Sequence, residues 1–405
     1  MALSSNCCTV MVRSTAPMVH EVDLLILGGG CAGLSLAQKL SALGNACPTV
    51  LVVEQRAVYC NDRTWCFWDN HDQGVTELVT HHWRWLKLGS QARTVLFDCG
   101  PSHYQMLAAS SFYERAQQAI AGCSAVTLAL GEAVMAEPTQ ISGGWRVVTS
   151  QRQITARWVV DTRPWALPAA GGAMLWQSFY GQEICCEQEV FNSEAAELMD
   201  FTAGANGQIP FTYVLPVSRH RALVEATVFG PAPLARAALS AQLDSAVQQY
   251  TSGSPFSIAR SESGILPMGL ALTPPSLGLG HVAVGVMAGG ARASSGFAFQ
   301  RIQQWAEQCC AALATGSPPT THRADPLLVR MMDRLFLKVL RASPQAAPDL
   351  FLSLFEHADS ACVIRFLSGK STVMDCLLVI KALPARPFVQ QLFSRAPALL
   401  SNRAG

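Results

Sequence analysis

The sequence predicts an α/β fold: a dinucleotide-binding Rossmann unit at the front, an interleaved β-rich region, and a helical C-terminal tail. Three observations carry this. Val22-Asp-Leu-Leu-Ile-Leu27 is a short apolar run that ends on Gly28-Gly-Gly30-Cys-Ala-Gly33 and is followed by the helical pattern Leu34-Ser-Leu36-Ala37-Gln-Lys-Leu40 and a second run, Thr49-Val-Leu-Val-Val-Glu54. From about residue 90 to about 260 short runs with a period of two dominate, and from about 326 to 400 apolar residues recur at helical spacing.

The front unit is the most specific. A strand, Gly-x-Gly-x-x-Gly, a helix and a second strand ending in an acid place backbone amides and a helix N-terminus against a pyrophosphate, with Glu54 positioned to accept from ribose hydroxyls. Gly28, Gly30, Gly33 and Glu54 are therefore the candidate cofactor-binding residues. The motif by itself fits FAD and NAD equally.

Composition narrows the rest. Of 405 residues half are hydrophobic and 14% are charged, which suits a large core and an apolar ligand or a membrane surface. The length suggests roughly two to three folding units. The net charge of +1 argues against a nucleic-acid footprint. No run approaches the ~18 apolar residues of a membrane span, because Asp375 and Lys381 interrupt the best candidate, Val373 to Leu383. The 14 cysteines include three vicinal pairs and no CxxC, so they read as small buried residues in a reducing compartment. His81-His82 has no further ligand nearby in sequence, and no metal site is expected. Residues 1–20 carry no continuous apolar stretch and read as a flexible extension without a secretory signal, with Met18 as an alternative start.

In the middle of the chain, Tyr213-Val-Leu-Pro216 and Ala222 to Phe229 flank Ser218-Arg-His-Arg221 and predict a hairpin. The alternation puts Leu223, Glu225 and Thr227 on one face and Val224, Ala226 and Val228 on the other. Glu225 is then either a solvated strand-end glutamate or a carboxyl whose burial lets it hold a proton near neutral pH. Asn61-Asp-Arg-Thr-Trp65-Cys-Phe67-Trp68 reads as an aromatic loop, a packing plug or a cation-stabilising wall. Gly264-Ile-Leu-Pro-Met-Gly269 reads as a short turn-bounded strand. His281 to Ala288 reads as a strand entering a second glycine loop with Gly285, Gly289 and Gly290, and Arg301 to Ala312 as a helix. Asp325-Pro326 is placed as cap and first helical residue of a basic amphipathic helix over 326–341. Its stripe is Leu327, Leu328, Met331, Met332, Leu335, Phe336, Val339 and Leu340, with Arg330, Arg334, Lys338 and Arg341 facing away. That helix fits either a membrane interface or core packing.

Taken in order, these blocks resemble the FAD-dependent lycopene cyclase family of the bacterial lycopene β-cyclase type. The resemblance rests on the glycine motif, Asn61 to Trp68, Leu175-Trp-Gln-Ser-Phe179-Tyr-Gly181, Leu198 to Phe201, Tyr213 to Pro216, Leu223-Val-Glu225-x-Thr227, Glu262-Ser-Gly-Ile-Leu-Pro267-Met268, Ala288-Gly-Gly290, Ser295-Gly-Phe297 through Ile302, and Met332 to Phe336. It implies a glutathione-reductase-like FAD-binding domain interleaved with a substrate domain over residues 21–325 (the substrate part about 90–265) and a helical region over 326–405. It further implies redox-neutral cyclisation of the ψ-ends of lycopene or a related linear carotenoid, dependent on reduced FAD with NAD(P)H as reductant. The protein would then be cytoplasmic and peripherally membrane-associated, with no obligate protein partner. The catalytic acid falls on Glu225, the glycine loop from Gly285 passes near the flavin, and Trp65, Phe67, Trp68 and Thr227 become substrate-pocket candidates. Ala226 stands where several relatives carry a second acid or an aromatic, and Ala291-Arg-Ala-Ser-Ser departs from the usual flavin-loop pattern. The alternative is an FAD-dependent monooxygenase or isoprenoid reductase of similar fold.

Overall fold

The structure is a computed structural model describing residues 19–68, 75–167, 171–202, 204, 206–270 and 277–393. The expected extension up to Met18 and the last part of the tail, from 394, lie outside the described residues. The front of the chain runs β1 (Val19–Leu27), α1 (Cys31–Ser41), β2 (Val50–Glu54), β3 (Thr64–Trp68), β4 (Val79–Trp83), β5 (Trp85–Gly89), β6 (Thr94–Asp98), β7 (Tyr104–Ala108), α2 (Ala109–Ala121) and β8 (Val126–Leu130). Then come β9 (Thr139–Ile141), β10 (Gly144–Val148), β11 (Gln153–Asp161), β12 (Ala173–Cys186), β13 (Ala195–Phe201), β14 (Ile209–Pro216), β15 (Arg221–Gly230), α3 (Arg236–Thr251), β16 (Phe256–Leu270) and β17 (His281–Ala283). The remainder is helical: α4 (Phe299–Ala314), α5 (Leu327–Ala342), α6 (Ala347–His357), α7 (Ser360–Leu367), α8 (Val373–Ala382) and α9 (Ala385–Phe393).

The first sheet has the order β8-β2-β1-β11-β10-β9, with β17 also on β11, and the pairs β1–β2, β1–β11, β2–β8 and β11–β17 are parallel. Leu24, Leu25, Ile26, Leu27 and Val50 to Val53 are buried on both faces, as a parallel sheet covered on both sides requires. Helices α1, α2 and α4 cover one face through Leu36, Leu40, Phe112, Ala116, Ile302 and Trp305. Each large apolar side chain so buried contributes about 1.5–3 kcal/mol.

The second sheet, β16-β12-β15-β14-β13-β5-β6, carries α3 on one face. A three-stranded sheet, β3-β7-β4, lies beside the core shared with the second sheet and the C-terminal helices. The β-rich stretch from 90 to 265 is not one piece, because β8 to β11 return to the first sheet between β5–β6 and β12–β16 of the second.

Four local expectations change. The run around Gly264 is the end of the 15-residue β16, whose partner β12 is too distant in sequence to be read locally. Asn61–Trp68 is not a loop throughout: Thr64–Trp68 pairs with β7. Pro326 is the cap of α5 rather than its first residue, and Asp325 pairs with Arg301 instead of capping. Helix α5 is also turned from the predicted stripe. Val339 and Leu340 are buried, Met332 and Phe336 pack on the core and the four basic residues are exposed, as expected, but Val329, Asp333 and Leu337 also face inward while Leu327, Leu328 and Met331 are exposed. The cause is polar. Asp333 is buried against Arg292, whose Nη2 donates to Asp333 Oδ1 at 3.1 Å, and the Ser294 hydroxyl donates to the same oxygen at 2.8 Å.

Candidate functional site

One continuous cavity of about 1300 Å³ runs from the glycine loop of β1–α1, past the second sheet, to the inner faces of α6 and α7. At its first end Gly28 takes φ +96°, and a Cβ on Gly33 would lie 2.0 Å from the Gly28 carbonyl oxygen. Helix and strand approach so closely there that only glycine fits. A Cβ on Gly30 would meet nothing within 4 Å, so this side of the turn faces open space. The first turn of α1 has no side-chain cap, and Gly28, Gly30, Cys31 and Ala32 line the cavity. Its free amides and the helix dipole make this a place for an anion.

Glu54 lies at the carboxyl end of β2 and lines the cavity. The Gly29 amide donates to its Oε2 at 2.7 Å, and the Arg56 amide donates to Oε1 at 2.8 Å. Burial pushes this carboxyl up, but the hydrogen bonds and charge of Arg56, with the Gly29 amide, outweigh it and hold it below the usual range. Gly285, Val286 and Met287 face the cavity from the second glycine loop, whereas Gly289 and Gly290 do not line it. Gly290 packs behind, where a Cβ would lie 2.7 Å from the Gly285 carbonyl oxygen. The Gly285 amide donates to His322 Nε2 at 2.9 Å, and burial followed by the Arg301 charge pushes that imidazole down to about 4, keeping it a neutral acceptor. Local sequence carried no signal for His322. Two glycine turns, an uncapped helix start and a strand-end acid around one cleft fit an extended dinucleotide such as FAD.

Glu225 lies in the middle of the cavity. β15 alternates as predicted: Glu225 and Thr227 line the cavity, while Val224, Ala226 and Val228 pack under α3. Glu225 is 7% exposed, and the Thr227 hydroxyl donates to its Oε1 at 2.7 Å. Burial, then the Glu262 charge, push this carboxyl up to about 8, against the smaller opposing effect of the Thr227 hydrogen bond. It is therefore a neutral acid at pH 7. Position 226 faces the opposite side of the sheet, so an acid there would not share the cavity.

The aromatic triplet divides. Trp65 lines the cavity and stacks on Phe299 at 5.4 Å. Phe67 stacks on Phe299 at 5.0 Å, and Trp68 packs edge-on to Phe297 at 5.0 Å. Neither of those two lines the cavity: both are buried at the end of β3, against Phe299 and Phe297. The aromatic surface nearest Glu225 comes instead from the second sheet. Tyr213 pairs with Glu225, and Phe179 and Phe211 both pair with Thr227. The Tyr213 and Tyr104 hydroxyls lie 3.0 Å apart. Phe351, Leu354 and Phe355 of α6 and Leu367 of α7 form the far, apolar end. These residues were missed because strand register and helix docking are not local properties; parity with Glu225 was the one available signal, and it needs the register.

Comparison with known proteins agrees with the fold. A geranylgeranyl bacteriochlorophyll reductase-like protein from Thermoplasma acidophilum aligns over 93% of this chain and 98% of its own, at 14% identity and TM-score 0.58. The flavin-dependent monooxygenase PieE, solved with FAD and substrate, aligns over 93% of this chain and 72% of its own, at 14% identity and TM-score 0.60. The flavin-dependent brominase Bmp2 aligns over 86% and 94%, at 11% identity and TM-score 0.58. At such identities the likeness is one of fold. No curated protein matches the chain by sequence. The family described as lycopene cyclase protein matches residues 23–393, nearly the whole chain, and the chain therefore belongs to the lycopene cyclase family.

Proposed function

We propose that this protein closes the ψ-ends of lycopene, or a related linear carotenoid, into β-ionone rings in a redox-neutral reaction that depends on reduced FAD. The carrying observation is Glu225, a protonated carboxyl in a largely apolar cavity that also reaches the glycine turns. An acid poised near neutral pH suits proton delivery to an alkene. In this reading Gly28, Gly30, Gly33, Glu54 and Gly285 hold the dinucleotide, with Gly289 and Gly290 shaping the second loop from behind. The first and third sheets form the cofactor part and the second sheet the substrate part. When bound, a flavin reduced by NAD(P)H would supply an electron-rich ring able to stabilise positive charge.

Glu225 gives its proton to the inner carbon of the terminal alkene, leaving a tertiary cation on the outer, dimethyl-bearing carbon. The next double bond attacks that cation and closes the ring. Loss of one proton from the ring to the Glu225 carboxylate left by the first step restores both the double bond and the acid, so neither charge nor electrons change overall. Phe179, Phe211 and Tyr213 offer aromatic faces to the cation, and the apolar lining keeps out water that would trap it as an alcohol. Of the aromatic triplet, Trp65 belongs to this pocket and Phe67 and Trp68 to its support.

The carotenoid dissolves in the bilayer, and the outer faces of the helical cap favour peripheral docking there. Leu327, Leu328 and Met331 of α5, Val373, Met374, Leu377 and Leu378 of α8, and Val389, Leu392 and Phe393 of α9 are exposed beside Arg330, Arg334 and Lys338. No helix among the described residues is long and apolar enough to cross a membrane.

The test is expression in lycopene-accumulating bacteria, with chromatography and mass analysis of the pigments, beside Glu225→Gln. A cyclic pigment of unchanged mass that disappears with Glu225→Gln supports the reading. A product heavier by oxygen or hydrogen would replace it with a monooxygenase or a reductase. Unchanged lycopene with flavin-loaded protein would remove lycopene as the substrate.

A further inference from the structure

Glu262 entered the sequence analysis only as part of a motif, and the chemistry above does not use it. It lies on β16, 37 positions from Glu225, yet one row of the second sheet joins them. Gly181 of β12 pairs with Glu225 on one side and with Glu262 on the other. Tyr213 continues the same row on β14. Since residues in one row project to one face, both carboxyls and the tyrosine face the cavity, and all three line it. The residue between the acids has no side chain. A Cβ on Gly181 would stand 3.3 Å from the Glu225 Cβ and from Leu223 Cδ1, so the bare glycine lets the Glu225 and Leu223 side chains close over the strand that separates the two acids.

Glu262 is held as an ion-paired carboxylate. Arg260 Nη1 donates to its Oε2, and the Thr64 hydroxyl donates to the same atom at 2.7 Å. Arg260 Nη2 donates in turn to Thr64 Oγ1 at 2.7 Å, and Arg260 and Arg221 both pair with Glu183 one row further along. Both contacts to Glu262 use Oε2, so Oε1 accepts from no described residue. The other titratable groups around Glu225 are Tyr213, Tyr104 and Cys66. Burial drives both tyrosines well above their ordinary range and pushes the Cys66 thiol up to about 12, so they stay neutral. The charge that acts on Glu225 is the Glu262 carboxylate on its own row; Arg260, paired with Glu262 and with Glu183, and Arg221 stand further along the sheet, and Arg63, which donates to the Ser263 carbonyl, lines the same cavity.

We propose that Glu262 is the positioning residue for Glu225: an anchored carboxylate across the bare Gly181 that holds the proton on Glu225 until an alkene takes it, and that faces the cation formed in the shared cavity. The second carboxyl of this site thus comes from the other side of Gly181, not from position 226. The catalytic half of this statement rests on the cyclase reading, whereas the pairing of the two carboxyls does not.

The experiment is an infrared pH titration of the protonated-carboxyl stretch in the flavin-loaded full chain, with Glu225→Gln identifying the band. With the acids two strand spacings apart, roughly 10 Å, removal of one charge should lower the Glu225 midpoint by about one pH unit in Glu262→Gln. Glu262→Asp, which keeps the charge, should restore most of the shift. Arg260→Gln, which uncovers the carboxylate, should raise the midpoint. A merely structural role would not move the midpoint in opposite directions in the two variants. An unmoved midpoint in folded Glu262→Gln, or equal shifts in the Gln and Asp variants, overturns the proposal. Should Glu262→Gln not fold, an unmoved or lowered midpoint in Arg260→Gln overturns it alone. No turnover is needed, so failure of ring formation would count against the cyclase reading and leave the carboxyl pairing standing. If both hold, the alkaline limb of ring formation shifts with the midpoint.

Discussion

Replacing Glu225 with glutamine should abolish ring formation yet stabilise the fold, with a gain that grows with pH. The carboxyl titrates near 4.5 when free of the protein's influence and at about 8 in the folded chain, because it is buried beside Glu262. Below pH 4.5 both states are protonated and the group contributes no pH dependence. Between 4.5 and about 8 the unfolded chain releases the proton and the folded chain keeps it, so stability falls as pH rises, by about 1.4 kcal/mol per pH unit. Across that window the ceiling is roughly 5 kcal/mol. Glutamine removes this cost and can still accept from the Thr227 hydroxyl, but it buries an NH₂ group that needs a partner, which costs about 1–3 kcal/mol if none is found. The net gain should be about 2–4 kcal/mol at pH 8 and should vanish or reverse near pH 4.5. The assay is urea unfolding of flavin-free wild type and variant from about pH 5 to about pH 8, since bound flavin would add its own stabilisation. A difference that is flat with pH, or a variant less stable at pH 8, would refute the assignment of Glu225 as a buried neutral acid.

Gly33→Ala should purify without flavin, because its Cβ would sit 2.0 Å from the Gly28 carbonyl oxygen; flavin absorbance at the wild-type level would contradict this. Asp333→Ala should destabilise the protein by about 3–5 kcal/mol, since Arg292 is left buried and unpaired; adding Arg292→Leu should recover part of the loss in thermal unfolding. A small effect of the single change would mean that α5 is not held by this pair. Replacing Met374, Leu377 and Phe393 with serine should weaken binding to anionic vesicles in a flotation assay without altering flavin content, and unchanged flotation would move the docking surface elsewhere.

What could be read in the sequence was local. The turn between β1 and α1 follows from glycine spacing within a few residues, and the parity of β15 needs only the alternation around Glu225, so the glycine turn and the residues that share a face with Glu225 were both legible, whereas alternation left open whether that face is buried. The helical tail was legible as helices, but its orientation was not. A buried Arg292–Asp333 pair decides which side of α5 faces inward, and no apolar stripe records a polar anchor from another segment. Trp68 looked like a pocket wall because a strand and an aromatic loop share the same letters; the segment pairs with β7, and Trp68 is buried at its end against Phe297. Glu262 reaches the row of Glu225 only through two antiparallel registers that meet at Gly181, and α6 and α7 close the cavity only by docking from the far end of the chain. By itself the sequence determined which residues alternate and turn, because those depend on neighbours along the chain. The tertiary structure alone decided which acids meet and what surrounds them, because strand register and helix docking are set by packing between residues far apart in sequence.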